Sequence, residues 1–274
     1  MPELGFYFIT ALLYAALAVF AWIKAPRTAP PLPASTSGAE QRWLLPIALA
    51  LHCGLLLRDM LGGAGFNLNL GTALSLIVWL TVFIYWVESH WVHVGPLQNL
   101  ILPLAALFVP LPYFMNSQHV LPYAGMSLFK AHLVISMLAY GLLTIAALHA
   151  LLLAVLEKRL HDGNLPPVLR DLPPLMSLEK LTFRILAAGF ALLTLTLVSG
   201  MGFSEALFGR PYQFTHKVIF GFIAWLIFAL LLLGRHFKGW RGRVAVRWLL
   251  SGFAFLLLAY LGSKFVLEVI LQRN

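Results

Sequence analysis

This chain contains eight apolar stretches, and each is long enough to cross a bilayer as a helix. A helix needs about 20 apolar residues to cross the hydrocarbon core of a bilayer. The segment must be helical because this core offers no water to hydrogen-bond the backbone. Charged residues make up 11% of the chain, against about 25% in typical soluble domains. We therefore predict an all-α, polytopic integral membrane protein forming a single transmembrane domain over residues 1–274. The predicted spans cover residues 4–23, 43–60, 70–87, 97–113, 126–156, 181–203, 214–234 and 244–271.

The lysines and arginines are distributed unevenly between the two sides of this arrangement. With the N-terminus outside, 13 of the 19 basic residues fall on the cytoplasmic side. Loops rich in Lys and Arg remain in the cytoplasm, so the pattern predicts that both termini are outside. The same rule accounts for the net charge of +9. We therefore predict that the protein resides in a lipid bilayer and does not bind nucleic acid.

Several classes of chemistry are excluded by missing residues. The chain has one cysteine, Cys53, which rules out an internal disulfide and a Cys-x-x-Cys-His haem attachment site. The protein is therefore not itself a c-type cytochrome. The sequence contains no Gly-rich phosphate loop or serine elbow that would suggest phosphoryl or hydrolytic chemistry. We predict that the protein is not an enzyme.

Three histidines fall within or beside the predicted spans. His52 lies in the middle of the second span, and His132 and His216 lie near the outer ends of the fifth and seventh spans. Membrane histidines are rare and usually face a bundle interior or cavity. A neutral imidazole suits iron, copper or zinc, and two imidazoles on opposite faces of a macrocycle form an axial haem site. The alternatives are that the histidines bind a metal ion without haem, or that each only hydrogen-bonds a neighbouring helix.

Three cations accompany these histidines in sequence. Lys130 precedes His132 by two residues, Lys217 follows His216, and Arg210 lies six residues before His216. They are candidate partners for the anionic propionates of haem. The alternative is that their long side chains reach the membrane interface without a specific ligand.

Polar residues are also present near the inner side. Glu88, His90 and His93 are predicted to lie in a short inner loop. Their spacing permits a metal ion, but solvated interfacial side chains are the simpler interpretation. His149 is predicted to pack between helices near the inner surface.

Three stretches of the second half resemble the cytochrome c assembly protein family, of the CcsA and CcmC type. They are KAHLVISMLAYGLLT at 130–144, GFALLTLTLVSGMGFSEALFG at 189–209 and IAWLIFALLLLGRHFKGWRGR at 223–243. The resemblance covers about 128–269 in family order, and the branch it resembles most is the YpjD and HemX type. It implies an eight-span protein of the bacterial inner membrane that binds or handles haem for cytochrome c biogenesis.

The resemblance also suggests roles for individual histidines. His132 matches the family's first external histidine, and His52 resembles its membrane-embedded histidine. In haem-delivering members the external loop is rich in tryptophan and a second external histidine follows it. Here residues 208–220 read FGRPYQFTHKVIF, without tryptophan, and His216 within them is the candidate substitute for the missing histidine.

Two further functions remain open at this point. The protein could be an accessory or transporter-like protein that binds no haem, and instead partners a membrane transporter or binds an ion or lipid in the same cavity. A third reading is a quinone-linked membrane oxidoreductase. The haem-handling function is the leading hypothesis, with His132 and His216 as iron ligands and His52 as a deeper cofactor-binding residue.

Overall fold

The computed structural model describes an all-helical chain. Nine α-helices follow one another within the described residues, and the last of them continues into the π-helical turn Leu258–Gly262. The described residues are 2–24, 37–62, 66–92, 94–115, 125–163, 166, 169, 172–208 and 215–262. The helices are α1 (Pro2–Lys24), α2 (Ser37–Leu61), α3 (Leu70–Glu88), α4 (Gly95–Phe108), α5 (Leu111–Phe114), α6 (Ser127–His161), α7 (Leu175–Phe208), α8 (His216–Lys238) and α9 (Gly242–Leu257).

Among the described residues, eight spans are long and apolar enough to cross a membrane, which confirms the predicted all-α, polytopic fold class. The fourth span, Gly95–Phe114, combines α4 and α5. The two helices are separated by a turn at Val109 and Pro110. Proline lacks a backbone N–H and its ring clashes with the preceding turn, so Pro110 ends the regular helix.

Helix α6 is the centre of the bundle. Its 35 residues extend about 52 Å at 1.5 Å per residue, longer than a bilayer core is thick. In an apolar 18-residue stretch of its span 67% of the residues are buried inside the protein, whereas the share is 33% in the corresponding stretches of α1 and α2. α6 packs against α3 on one side and against α7 and α9 on the other. It therefore joins a group formed by α1–α5 to a group formed by α7–α9.

Ion pairs mark one end of the bundle. Glu179 near the start of α7 binds Arg235 near the end of α8, and Glu157 near the end of α6 lies 3.3 Å from Arg243 at the start of α9. Exposed cations surround these pairs. We call this end the basic face, defined by Lys158, Arg159, Lys180, Lys238, Arg241, Arg243 and Arg247.

The opposite end of α6, α7 and α8 carries His132 and Lys217, and we call it the histidine face. We propose that the basic face is cytoplasmic and the histidine face is outside, since Lys and Arg remain on the inner side. Single cysteines test this in a Cys53→Ser background. A membrane-impermeant thiol reagent added to intact spheroplasts is expected to label Met126→Cys but not His161→Cys. Labelling of His161→Cys but not Met126→Cys would show that the orientation is the opposite of the proposed one.

Candidate functional site at the histidine face

His132 is held against α7 by a serine. The imidazole Nδ1 lies 2.7 Å from Ser199 Oγ, and the ring edge lies beside the backbone of Gly200. His132 is half-buried beside α7. The hydrogen bond therefore fixes the orientation of a histidine at an accessible position.

The partners of Ser199 also determine which ring nitrogen carries the hydrogen. Ser199 Oγ lies 2.6 Å from the carbonyl oxygen of Leu195 and 3.2 Å from that of Thr196. Carbonyl oxygens only accept, so the single hydroxyl hydrogen is donated to them. Ser199 Oγ then accepts the hydrogen bond from His132 Nδ1–H. The lone pair of the neutral ring lies on Nε2, which is the atom that a metal ion binds.

Lys217 and two tyrosines lie at the same end. Lys217 Nζ lies 5.0 Å from the centroid of the Tyr260 ring, a distance at which a cation is attracted to the ring face. Tyr260 packs against Tyr140, with ring centroids 5.7 Å apart. The Tyr140 hydroxyl donates a 3.2 Å hydrogen bond to the Leu256 carbonyl, just before the π-helical turn that contains Tyr260. Lys217 is also close enough to His132 for their charges to interact.

The other candidates at this face have less defined surroundings. His216 is the first residue of α8 and is exposed, and Lys130 is exposed on the first turn of α6. Arg210 lies outside the described residues. The structure therefore brings His132 and Lys217 together, and chain connectivity places His216 next to Lys217.

His52 lies in a different part of the molecule. It is 1% exposed, and α2 packs mainly against α1 and α3. Its Nε2 lies 2.8 Å from Ser75 Oγ, and its ring meets Tyr14 edge-on at a centroid distance of 5.8 Å. Its Nδ1 is buried and has no hydrogen-bond partner among the described residues.

The two histidine environments fit haem differently. His132 offers a fixed orientation, a lone pair on Nε2 and a cation nearby for a carboxylate, which suits an axial ligand of a haem whose propionates are anionic. Tyr14 and Ser75 enclose His52, so a macrocycle could reach it only if the packing of α1, α2 and α3 opened. The role of His52 as a deeper haem site stays a prediction. Within the described part of the chain, no group of three or more His, Cys, Asp or Glu side chains is placed to hold a metal ion by itself.

The sequence did not single out Ser199, Tyr260 or the environment of Glu88. Ser199 lies in the quoted stretch 189–209, but its contact with His132 joins residues 67 positions apart. Glu88 was expected in a solvated loop, and that expectation is wrong. It is the last residue of α3 and is buried against His149 of α6. His90 is exposed, as expected, and His93 lies outside the described residues.

Comparison with known proteins defines the class of membrane protein that carries this site. The family model described as Cytochrome C assembly protein matches residues 43–271. The chain therefore belongs to the cytochrome c assembly protein family, and the match extends the resemblance into the first half.

Two relatives illustrate the range of the family. The chain is 32% identical over 230 residues to the inner membrane protein YpjD of Escherichia coli (strain K12), covering 82% of this chain and 85% of the relative. It is 28% identical over 191 residues to the cytochrome c biogenesis protein CcsA of Prochlorococcus marinus (strain MIT 9301), covering 62% of this chain and 61% of the relative. No solved structure matches the chain. With its eight spans, the chain is a multi-pass protein of the bacterial inner membrane, as predicted.

Proposed function

We propose that this protein is a non-catalytic haem-handling protein linked to cytochrome c biogenesis, which binds haem at the histidine face. The observation that carries the proposal is the Ser199 hydrogen bond to His132 Nδ1, since it orients the ring and selects the tautomer with its lone pair on Nε2. Membership of the cytochrome c assembly family supports the link to cytochrome c biogenesis. The name of the CcsA relative supports the same link.

Each residue of the site has a distinct role in this proposal. His132 binds the iron through Nε2, and Ser199 holds the imidazole in the required tautomer and orientation. His216 is the second iron ligand. Lys217, Lys130 and Arg210 bind the propionates by charge-assisted hydrogen bonds. When bound, haem supplies an iron that accepts imidazole nitrogen as an axial ligand.

The protein handles haem in this proposal and does not transform it. It would receive haem from another membrane protein or pass haem on to one. The stretch at 208–220 contains no tryptophan, so the protein would meet that partner without the tryptophans of the haem-delivering members that it resembles.

Haem loading of the purified protein tests the proposal. We expect an intense Soret band after haem is added to protein in detergent and unbound haem is removed. His216→Ala is expected to retain a band but change its position, because one imidazole is replaced by a weaker ligand. His236→Ala, an exposed histidine in the last turn of the same helix, is the control and should match wild type. A wild-type protein without a Soret band would overturn the proposal, and co-purification of a pigment-free complex with another membrane protein would favour the accessory function instead.

A further inference from the structure

A buried acid–base pair joins α3 to α6, far from the proposed haem site. His149 Nε2 lies 2.9 Å from Glu88 Oε1, and the two side chains are 0% and 7% exposed. His149 is 17 residues after His132 on the same helix, so the two histidines lie about 25 Å apart along its axis. Ionisable side chains within membrane spans are costly and commonly mark ion or proton pathways. The proposed function makes no use of this pair.

The hydrogen bonds of His149 define how many hydrogens the pair holds. Nδ1 lies 2.9 Å from the carbonyl oxygen of Ile145. A carbonyl oxygen only accepts, so Nδ1 carries a hydrogen. The contact between Nε2 and Glu88 Oε1 needs a second hydrogen, because two bare lone pairs would repel each other. The pair therefore holds one proton more than a neutral histidine beside an ionised glutamate, and its net charge is zero.

The second carboxyl oxygen of Glu88 indicates where that proton resides. Oε2 is buried and has no hydrogen-bond partner among the described residues. An ionised carboxylate with an unpaired oxygen in a low-dielectric interior is strongly disfavoured. A neutral carboxyl group avoids most of this cost, because its unpaired oxygen is then a carbonyl oxygen. Glu88 Oε1–H therefore donates to the Nε2 lone pair of neutral His149.

The surroundings of Glu88 connect the pair to the basic face. Glu88 is the last residue of α3, and Ser89, His90 and Trp91 follow it in an exposed turn. One helical turn earlier, the Tyr85 hydroxyl donates a 3.4 Å hydrogen bond to Gln98 of α4. Tyr85 and His90 are titratable residues close to Glu88 in the chain, and α4 contains none. A proton leaving Glu88 would thus have a short route to water.

We propose that Glu88 and His149 form a proton-binding site that exchanges one proton with water at the basic face. On binding, the Glu88 carboxylate takes a proton on Oε1 to become a neutral acid. On release, that O–H bond breaks, and the proton passes to water and leaves an ionised Glu88 beside neutral His149. The site is independent of haem, so it can be tested whether or not the protein binds haem.

Infrared spectroscopy of the reconstituted protein tests the location and exchange of this proton. Wild-type protein is expected to show the C=O band of a protonated carboxylic acid, and the band should move to lower frequency in D2O. Glu88→Gln should remove this band. Glu157→Gln, which changes a half-buried carboxylate at the basic face, should leave it in place. A band that is absent from wild type, survives Glu88→Gln, or does not respond to D2O would overturn the proposal.

Thermal unfolding separates a neutral acid from an ion pair. The amide introduced by Glu88→Gln can reproduce the neutral acid, since its N–H donates to His149 Nε2 while its oxygen occupies the place of Oε2. Glu88→Gln is therefore expected to unfold within about 2 °C of wild type, whereas Glu88→Leu should lower the unfolding temperature by roughly 5 °C because it leaves His149 Nε2 unpaired. If the pair were ionised, the amide would remove the counter-charge of a buried imidazolium, and the variant would lose the free energy of that ion pair. A loss for Glu88→Gln as large as that for Glu88→Leu would contradict the proposal.

Discussion

Replacing Glu179 by alanine is expected to destabilise the protein by about 3 kcal/mol, the low end of the cost of breaking a buried ion pair. Glu179 is buried and binds Arg235, and its Oε1 also lies 3.9 Å from Arg241. Arg235 cannot simply turn to water, because its guanidinium packs 4.5 Å from the Phe183 ring and donates to the Trp240 carbonyl. Without Glu179, Arg235 would remain largely buried and lack its counter-charge. The loss of stability is measured by unfolding the purified variant in detergent with heat or denaturant.

The matched control is the second ion pair of the basic face. Glu157 pairs with Arg243, whose side chain is 65% exposed, and an exposed pair contributes about 0–1 kcal/mol. Glu157→Ala should therefore cost less than about 1 kcal/mol, roughly a third of the loss for Glu179→Ala. The double variant Glu179→Leu/Arg235→Met should recover most of the lost stability, because it removes both charges together. Equal losses of stability in Glu179→Ala and Glu157→Ala would contradict the prediction, because they would show that the burial of Glu179 does not determine the size of the loss.

These pairs also explain why the loop between α8 and α9 has its sequence. Gly239 and Gly242 have φ angles of +64° and +54°, a region that side chains with a Cβ rarely adopt. The turn places Trp240 over Gly234 and directs Arg235 and Arg241 toward Glu179. The stretch GRHFKGWRGR is therefore a tight, ion-paired connection as well as a topology signal.

The fold was largely predictable because each span is a local property of the sequence. About twenty apolar residues must form a helix in a bilayer wherever they occur in the chain. The break near Pro110 and the excess length of α6 follow from residue type and rise per residue in the same way. In the part of the chain that the structure describes, the spans differ from the prediction at helix ends, such as α7, which begins at Leu175 whereas residue 181 was predicted. There, polar residues continue the helix beyond the apolar stretch.

The site was less predictable because its contacts join distant helices. Ser199 and His132 are 67 residues apart, and His149 and Glu88 are 61 residues apart. Such contacts depend on the rotation and depth of each helix, which a single sequence does not specify. Glu88 was misplaced for a physical reason: a lone glutamate at a span end is normally solvated. The cost of burying Glu88 is offset by its contact with His149 of α6. The sequence does not show that α3 and α6 are neighbours, so this contact could not be predicted.

Replacing His132 by alanine is expected to reduce haem affinity more than about 100-fold, if the proposed function holds. Outer-shell partners of metal ligands alone change metal affinity by about 10–100-fold, and His132 is the proposed ligand itself. The variant should show little or no Soret band at haem concentrations that saturate wild type. Ser199→Ala should lower affinity by about 10–100-fold while keeping a band, because the imidazole remains but its tautomer and orientation are no longer fixed. Titration of the detergent-purified proteins with haem, followed by absorption, measures both effects.

The order of the effects separates a ligand from a packing residue. His161→Ala is the matched control, since His161 is an exposed histidine at the other end of the same helix, and its affinity should equal that of wild type. Ser199→Thr keeps a hydroxyl acceptor and should therefore retain more affinity than Ser199→Ala. The unfolding temperatures of all variants report whether an affinity loss only reflects a loosened bundle. Wild-type affinity in a folded His132→Ala variant would exclude His132 as the iron ligand, and an equal loss in Ser199→Thr and Ser199→Ala would exclude the proposed role of the hydroxyl.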